Sequence, residues 1–508
     1  MFRRLQQWLN QIGRLSLVLK LQANYMGLIK KHKYIITISF LFVTLYSLIS
    51  LVNHYLFKTY ALDLGLYTNA AFKYAHFILA DSSMIKGCHE PILGGHFDLY
   101  LVIFSPLTYL FGTYTLLIVQ IIALITGGIG IFRYFQIIGN KKSIPYYALI
   151  YFYIFFGIYG ALSFDYHSVV VASCVVPWFF ISIYRNKMVV SVLLLVFMLV
   201  SQENFALFVF FITLGLIIEY RKNQKKSFHL ILLSLISLAY FLIVILCIIP
   251  YFSSQSEYGG FLYSSFGNNI YDASKAILMN PVESFKAFFT NHNNSIYGDF
   301  VKAETHIILL VSGLLFLFKK PQYLLMLVPI YFQKFFHDNY LMWGIDGQYN
   351  IEFAPIMAIG IFKVISEFKI EKLKVVISFI VLILALISTI RTMDNTILFT
   401  EKSKIRLYQK NHYCRDYDVR SVHNNLLKIP KSAKVSAQSP FVPHLSLRED
   451  IYQFPIIKNA EYIVYSRKES FYPLSKEEFI SKINKLEKSK NWKIVLNNDI
   501  KILKKIKL

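Results

Sequence analysis

Long apolar runs alternate with short polar knots from about Tyr34 to about Ile390. Many of the runs suit the roughly 30 Å hydrocarbon core of a bilayer. The pattern predicts about 11 crossings, at 34–52, 114–135, 144–160, 168–184, 188–200, 204–219, 228–250, 305–318, 321–336, 350–367 and 374–391. The knots are of two kinds. One set is cationic: Arg133/Lys141/Lys142, Arg185/Lys187, Arg221–Lys226, Lys319/Lys320 and Lys369–Lys374. The other set holds acids, histidines and amides with no lysine or arginine: SFDYH (163–167), SQEN (201–204) and HDNYLMWGIDGQY (337–349). Cationic loops mark the cytoplasmic side, so the acidic knots fall outside.

Residues 1–33 carry seven Lys/Arg and no acid, which places the N-terminus inside. Phe2, Leu5, Trp8, Leu9 and Ile12 recur there at helical spacing, predicting an amphipathic helix on the cytoplasmic leaflet. The parity of the loops holds only if the apolar stretch 97–112 does not cross. It is therefore expected as an embedded or re-entrant helix, interrupted at Pro106 and ended at Gly112. The membrane domain then spans 34–391, with outer loops 53–113 and 252–304. The second loop is long enough for a functional flap.

Beyond about residue 391 the chain turns polar, and 392–508 reads as a small extracytoplasmic α/β domain. Short strands are expected at Ala433–Ala437 and Tyr462–Tyr465. Ser475 with Glu478 forms a capping box that opens a helix to about Lys488. Trp492–Leu496 and Ile500–Leu503 are expected to pair as a hairpin around Asn497–Asn498–Asp499.

Composition sharpens this picture. The 508 residues are 56% hydrophobic and only 16% charged, too apolar for an ordinary soluble domain. The net charge of +24 fits positive inner loops and anionic lipid, and no nucleic-acid partner is expected. Cys174 and Cys247 lie in spans. Cys88 and Cys414 both fall outside, where a disulfide is open to them. No phosphate-binding GxxxxGK, nucleophile elbow or cysteine-pair metal motif occurs. Gly127–Gly128–Ile129–Gly130 reads as a close-packing surface.

The candidate chemistry lies in the outer knots, because ionisable groups at membrane depth are costly and tend to be functional. TYALDLGLYTNAAF (59–72) places Asp63 at or near the N-cap of an interfacial helix, where capping is the plain structural role. CHEPILGGHFD (88–98) offers His89, Glu90, His96 and Asp98. Asp165 with His167, and Gln202 with Glu203 and Asn204, follow in the next two knots. His337, Asp338, Asp346, Gln348 and Tyr349 form a last polar lining, which Glu352 can join. A divalent cation is the candidate cofactor, with Asp63, His96, Asp98 and His167 as candidate ligands. Outer cations are few: Lys58, Lys73, Lys86, Lys334 and Arg448.

The order of the motifs carries a resemblance. DLGLYTNAAF, GGHFDLYLVIFSPLTYLFG, SFDYHSVVVASCVVP, VSQENFAL, DGQYNIEFAPIMA and AKVSAQSPFVPHLSLREDIYQFP follow one another over roughly residues 55–465. This series resembles a family of predicted multispanning bacterial and archaeal membrane proteins of unknown function. That family is in turn similar to the GT-C glycosyltransferases, such as protein mannosyltransferases and aminoarabinose transferases. The resemblance implies a GT-C-like fold and a sugar transfer from a polyprenyl-phosphate-linked donor at an outward-facing site. It implies Asp63 as the acid of the first outer loop, a general base or metal ligand, and Asp165 as a second acid. It also implies that loop 252–304 closes over the donor. The chain departs from the usual paired acids: Asp63 is followed by Leu64.

The expected protein is thus a multi-pass plasma-membrane enzyme in contact with membrane lipid. Asp63, Asp165 and Glu203 are its candidate catalytic groups. His96, Asp98, His167, Gln202, His337, Asp338, Gln348 and Tyr349 are expected at the substrate. Two other classes compete. A transporter or flippase of lipid-linked or anionic substrates would place polar groups near midplane, often in repeats. A non-catalytic envelope assembly protein would use the outer domain alone.

Overall fold

The computed structural model describes residues 33–140, 143–253 and 259–506. The amphipathic helix expected before Lys33 lies outside the described residues. Most of the chain is helical, with one small sheet near the C-terminus. Among the described residues, five helices are long and apolar enough to cross a membrane: Lys33–Tyr55, Ser105–Ile137, Ile144–Ser163, Gln224–Phe252 and Glu371–Asp394. Three shorter apolar helices span Ser168–Tyr184, Met188–Leu199 and Phe353–Ser366. Residues 33–45 begin the first helix, and Tyr46–Leu508 forms a separate unit that contains everything discussed below.

Several helices are broken where the sequence demands it. The stretch before Thr115 is a chain of short turns: Tyr100–Ile103, Ser105–Leu107 around Pro106, Thr108–Phe111 and Gly112–Tyr114. Gly112 takes φ +56°, a region that suits glycine and ends the segment. Helix Ile144–Ser163 is interrupted at Phe155, whose ψ of 130° is extended. Past that break, the knot 345–350 lies directly on the helix. A Cβ on Gly157 would fall 2.4 Å from the Asn350 carbonyl oxygen, and one on Gly160 2.6 Å from that of Gly347. Side chains larger than hydrogen would push Gln348 and Tyr349 away. The Gly127–Gly130 surface works similarly, with Gly127 against Cys174 and Gly128 against the Tyr153 ring.

The C-terminal sheet contains β1 (Val435–Ala437), β2 (Ile451–Gln453), β3 (Tyr462–Tyr465), β4 (Trp492–Asn497) and β5 (Lys501–Lys505). Their order is β2-β1-β3-β5-β4. β1 runs parallel to both β2 and β3, whereas β5 is antiparallel to β3 and β4. Helix Lys476–Lys488 opens on the reciprocal Ser475–Glu478 capping box. Its Phe479 and Ile483 pack with Phe454, Ile463, Tyr465 and Leu503 as the local core. All four cysteines are unpaired, so no disulfide joins Cys88 to Cys414.

Candidate functional site

Asp63 sits in a wide turn, Ala61–Gly65, between the first helix and helix Leu66–Ala75. Its backbone has φ +65° and ψ −97°. Such a conformation is uncommon for aspartate and costs about 1–3 kcal/mol, so the surroundings must hold it. They do so from both sides. Lys58 donates to the carbonyls of Asn411 and His412, each at 2.8 Å, fixing the entry to the turn. The Tyr60 amide donates to Asp165 Oδ2 at 3.2 Å, and the Ala61 amide to Ser439 Oγ at 3.1 Å. Helix Leu66–Ala75 starts with no side-chain cap. The capping role expected for Asp63 is therefore not the one its carboxylate plays. Its Oδ1 lies 3.6 Å from His167 Nε2 instead.

Asp165 repeats the feature, with φ +66°. Its carbonyl accepts from Gln120 Nε2 at 2.8 Å, and Gln120 Oε1 accepts from the His167 amide at 3.0 Å. One buried amide side chain from helix Thr115–Ile137 thus sets the whole SFDYH turn. Asp165 Oδ1 pairs with Lys404 Nζ at 3.1 Å, and Lys404 stands over the Tyr60 ring. Burial lifts Asp165 above the usual carboxylate range, with Lys404 opposing.

The third group is His96 with Glu203. His96 Nδ1 lies 2.8 Å from Glu203 Oε1, and the Phe97 amide donates to Glu203 Oε2 at 3.2 Å. Gln202 Nε2 approaches the same ring nitrogen at 2.9 Å. Burial draws the His96 imidazole toward neutrality, but the charge and hydrogen bond of Glu203 outweigh it. With Asp98 and Asp63 adding to them, the pKa is raised. Asp98 receives the Ser168 hydroxyl and the Tyr100 amide. Burial pushes it up to about 7 against those two bonds, so it is part-protonated near neutrality.

A cavity of about 790 Å³ gathers most of the expected residues: Asp63, His96, Asp98, His167, Gln202, His337, Gln348 and Tyr349, together with Glu90 and Glu352. Gln348 Oε1, Glu352 Oε2 and His167 Nδ1 are buried without a hydrogen-bond partner among the described residues. Buried polar groups normally have one, so this cavity has hydrogen-bonding capacity to offer a guest. Glu203 does not line it; it stands behind His96, fully buried. Asp165 lines a second, smaller cleft of about 230 Å³ with Tyr60, Lys404, Ser439, Ser470 and Tyr472. Asp63 lines both. Asp338 lines neither, since its carboxylate accepts the Ser264 amide and hydroxyl. Asp346 is taken by Lys402 and Thr396.

The expected cations mostly serve the backbone. Lys58, Lys334 and Arg448 donate to carbonyls, and Lys73 pairs with Asp81. Lys86 alone of that set lines the large cavity, paired with Glu90. Sequence reading missed Lys404, Gln120 and Ser168. Gln120 had a signal, as the one amide in the apolar run TLLIVQIIALI. Lys404, within the cationic stretch after the last span, had none.

The four candidate metal ligands fall into separate partnerships: Asp63 with His167, His96 with Glu203, and Asp98 with Ser168. Among the described residues no three His, Cys, Asp or Glu side chains come together as a metal site would require. The donor set does not fit a resident cation.

The chain belongs to the family described as predicted membrane protein (DUF2079), whose model matches residues 53–499. No curated protein matches it.

Proposed function

We propose that this membrane protein is a GT-C-like glycosyltransferase, moving a sugar from a polyprenyl-phosphate-linked donor to an extracytoplasmic acceptor. The observation that carries the reading is the position of Asp63, whose strained turn holds one carboxylate on both the large cavity and the smaller cleft. The donor's sugar and phosphate occupy the large cavity, and the acceptor hydroxyl enters through the cleft. Asp63 takes the hydroxyl proton as the oxygen attacks the anomeric carbon. The bond from that carbon to the phosphate oxygen breaks, and polyprenyl phosphate leaves with the electron pair. Protonated His96 and Lys86 supply positive charge where the phosphate leaves. His167 orients Asp63, and Lys404 holds Asp165 beside the acceptor path. In this reading the chain crosses the membrane about 11 times, with the C-terminal domain outside.

Asp63→Asn tests the reading, because asparagine keeps the shape and tolerates positive φ but cannot take a proton. We expect loss of transfer on the order of a hundredfold or more, with insertion and thermal stability retained. Near wild-type transfer by the purified variant would remove Asp63 from the chemistry. Wild-type protein that transfers no sugar but moves a lipid-linked substrate across vesicles would instead make this a transporter.

A further inference from the structure

The outer loop carries an apolar face that its own fold leaves uncovered. Helices Ile270–Met279 and Pro281–Ala287 pack one side onto a core of Ala287, Val301, Phe335, Phe336, Met342 and Trp343, with Ile277 and Phe288 against it. The opposite side shows Leu278, Met279, Val282, Phe285 and Phe289, all exposed, with Val282 at 65% and Phe285 at 64%. Val282, Phe285 and Phe289 are three and seven residues apart, so they form one stripe. Asp272, Lys275, Glu283 and Lys286 are exposed on the same two helices, and Lys286 pairs with Glu283 at 2.7 Å. Each helix therefore has a packed side, a bare apolar side and a charged edge.

The bare side is continuous with the surface of the helix that follows. Phe289 meets His306 with ring centroids 4.9 Å apart, and His306 Nε2 lies 2.9 Å from the Phe288 carbonyl oxygen. His306 sits in the middle of helix Val301–Val311, beside exposed Ile307 and Leu310. On the other leg of the loop, Leu246 and Tyr251 of the membrane-long helix Gln224–Phe252 are exposed as well. Patches of this kind mark membrane or partner contact. Here the stripe runs into the apolar surface of helix Val301–Val311 through Phe289 and His306, and lysines at its edge can reach phosphate headgroups.

We propose that residues 270–289 form an interfacial foot, with the Val282–Phe285–Phe289 stripe embedded in the outer leaflet of the lipid bilayer. The foot ties the loop that walls the large cavity to the membrane surface.

Nitroxide labelling of the full-length protein in phospholipid nanodiscs tests this. The exposed Cys88, Cys247 and Cys414 are first replaced by serine, and single labels are placed through Leu278→Cys, Phe285→Cys, Lys275→Cys and Glu283→Cys. Oxygen concentrates in the bilayer, whereas a neutral nickel chelate stays in water. We expect oxygen collisions to exceed nickel collisions several-fold at positions 278 and 285, with the order reversed at 275 and 283. Equal nickel access at 283 and 285 would put the stripe in water and overturn the proposal. Low access to both reagents at 285 would also overturn it, because protein then covers the stripe, either a second copy or this loop folded over its own cavity.

Discussion

Helix Glu203–Glu219 begins on a buried carboxylate and ends on a mostly buried one, and the two serve different purposes. They lie about 24 Å apart at helical rise. Glu219 forms an ion pair with Lys363 and accepts the Tyr323 hydroxyl at 2.8 Å, while Lys363 also reaches Tyr134 at 3.3 Å. Four helices are locked together there, and the charge is spent on its neighbours. Glu203 is buried more deeply still, yet it hands its charge to His96, whose ring opens onto the large cavity. Around Glu203 the chain also tolerates positive φ at Asp63 and Asp165 and leaves polar atoms of Gln348 and Glu352 without protein partners. Around Glu219 the backbone is ordinary helix. Burial alone therefore does not separate a structural acid from one that serves a site. Whether the partner faces a cavity does.

Removing Lys363 should break this comparison most visibly at the structural end. Lys363→Met leaves the Glu219 carboxylate with only hydroxyl support, and should lower stability by about 3 kcal/mol. Thermal unfolding in detergent micelles would read this, with the proposed sugar transfer per folded molecule unchanged. Adding Glu219→Leu should recover most of the loss, since an apolar pair needs no desolvated charge. Transfer lost without any loss of stability would mean that the two ends are not distinct.

A smaller effect is expected at the other end. Glu203→Gln keeps the volume and an acceptor but removes the charge that raises the His96 pKa. A lower His96 pKa shrinks the imidazolium fraction on the alkaline side. The alkaline limb of the transfer profile should move to lower pH, with the acidic limb unmoved. A uniform drop at all pH values would make Glu203 a packing residue only.

Asp98 sharpens the contrast through stability rather than rate. Its folded pKa of about 7 stands above its ordinary unfolded value of about 3.9. The folded protein therefore binds more proton than the unfolded chain between those limits, and stability from this group is lost as pH rises through that window. Asp98→Asn cannot lose a proton. Its stability relative to wild type should rise from pH 4 to pH 7 and level off above. A difference that stays flat across the window would show Asp98 ionised throughout.

Local signals proved legible where one short stretch of chain decides the outcome. The Ser475–Glu478 box opens a helix that ends at Lys488, because both partners lie within one turn. Pro106 and Gly112 interrupt their segment because ring and positive φ act on the backbone directly. β2 escaped notice because three buried residues, Ile451–Gln453, show no alternation to read. The same limit applied to the site. The acids and histidines of the knots could be named, but not their partnerships.

The sequence by itself determined that this is a helical membrane protein with a small C-terminal sheet, and that its acids and histidines collect in knots between apolar runs. Hydrophobicity and local capping suffice for that, since both are properties of neighbouring residues. Only the tertiary structure decided that Asp63 faces two cavities rather than capping a helix, and that Asp338 and Asp346 are used up elsewhere. It alone brought Lys404, 239 positions on, to Asp165, and set the SFDYH turn on Gln120. The physical reason is that a carboxylate's role depends on which groups reach it through space, and those groups come from distant parts of the chain.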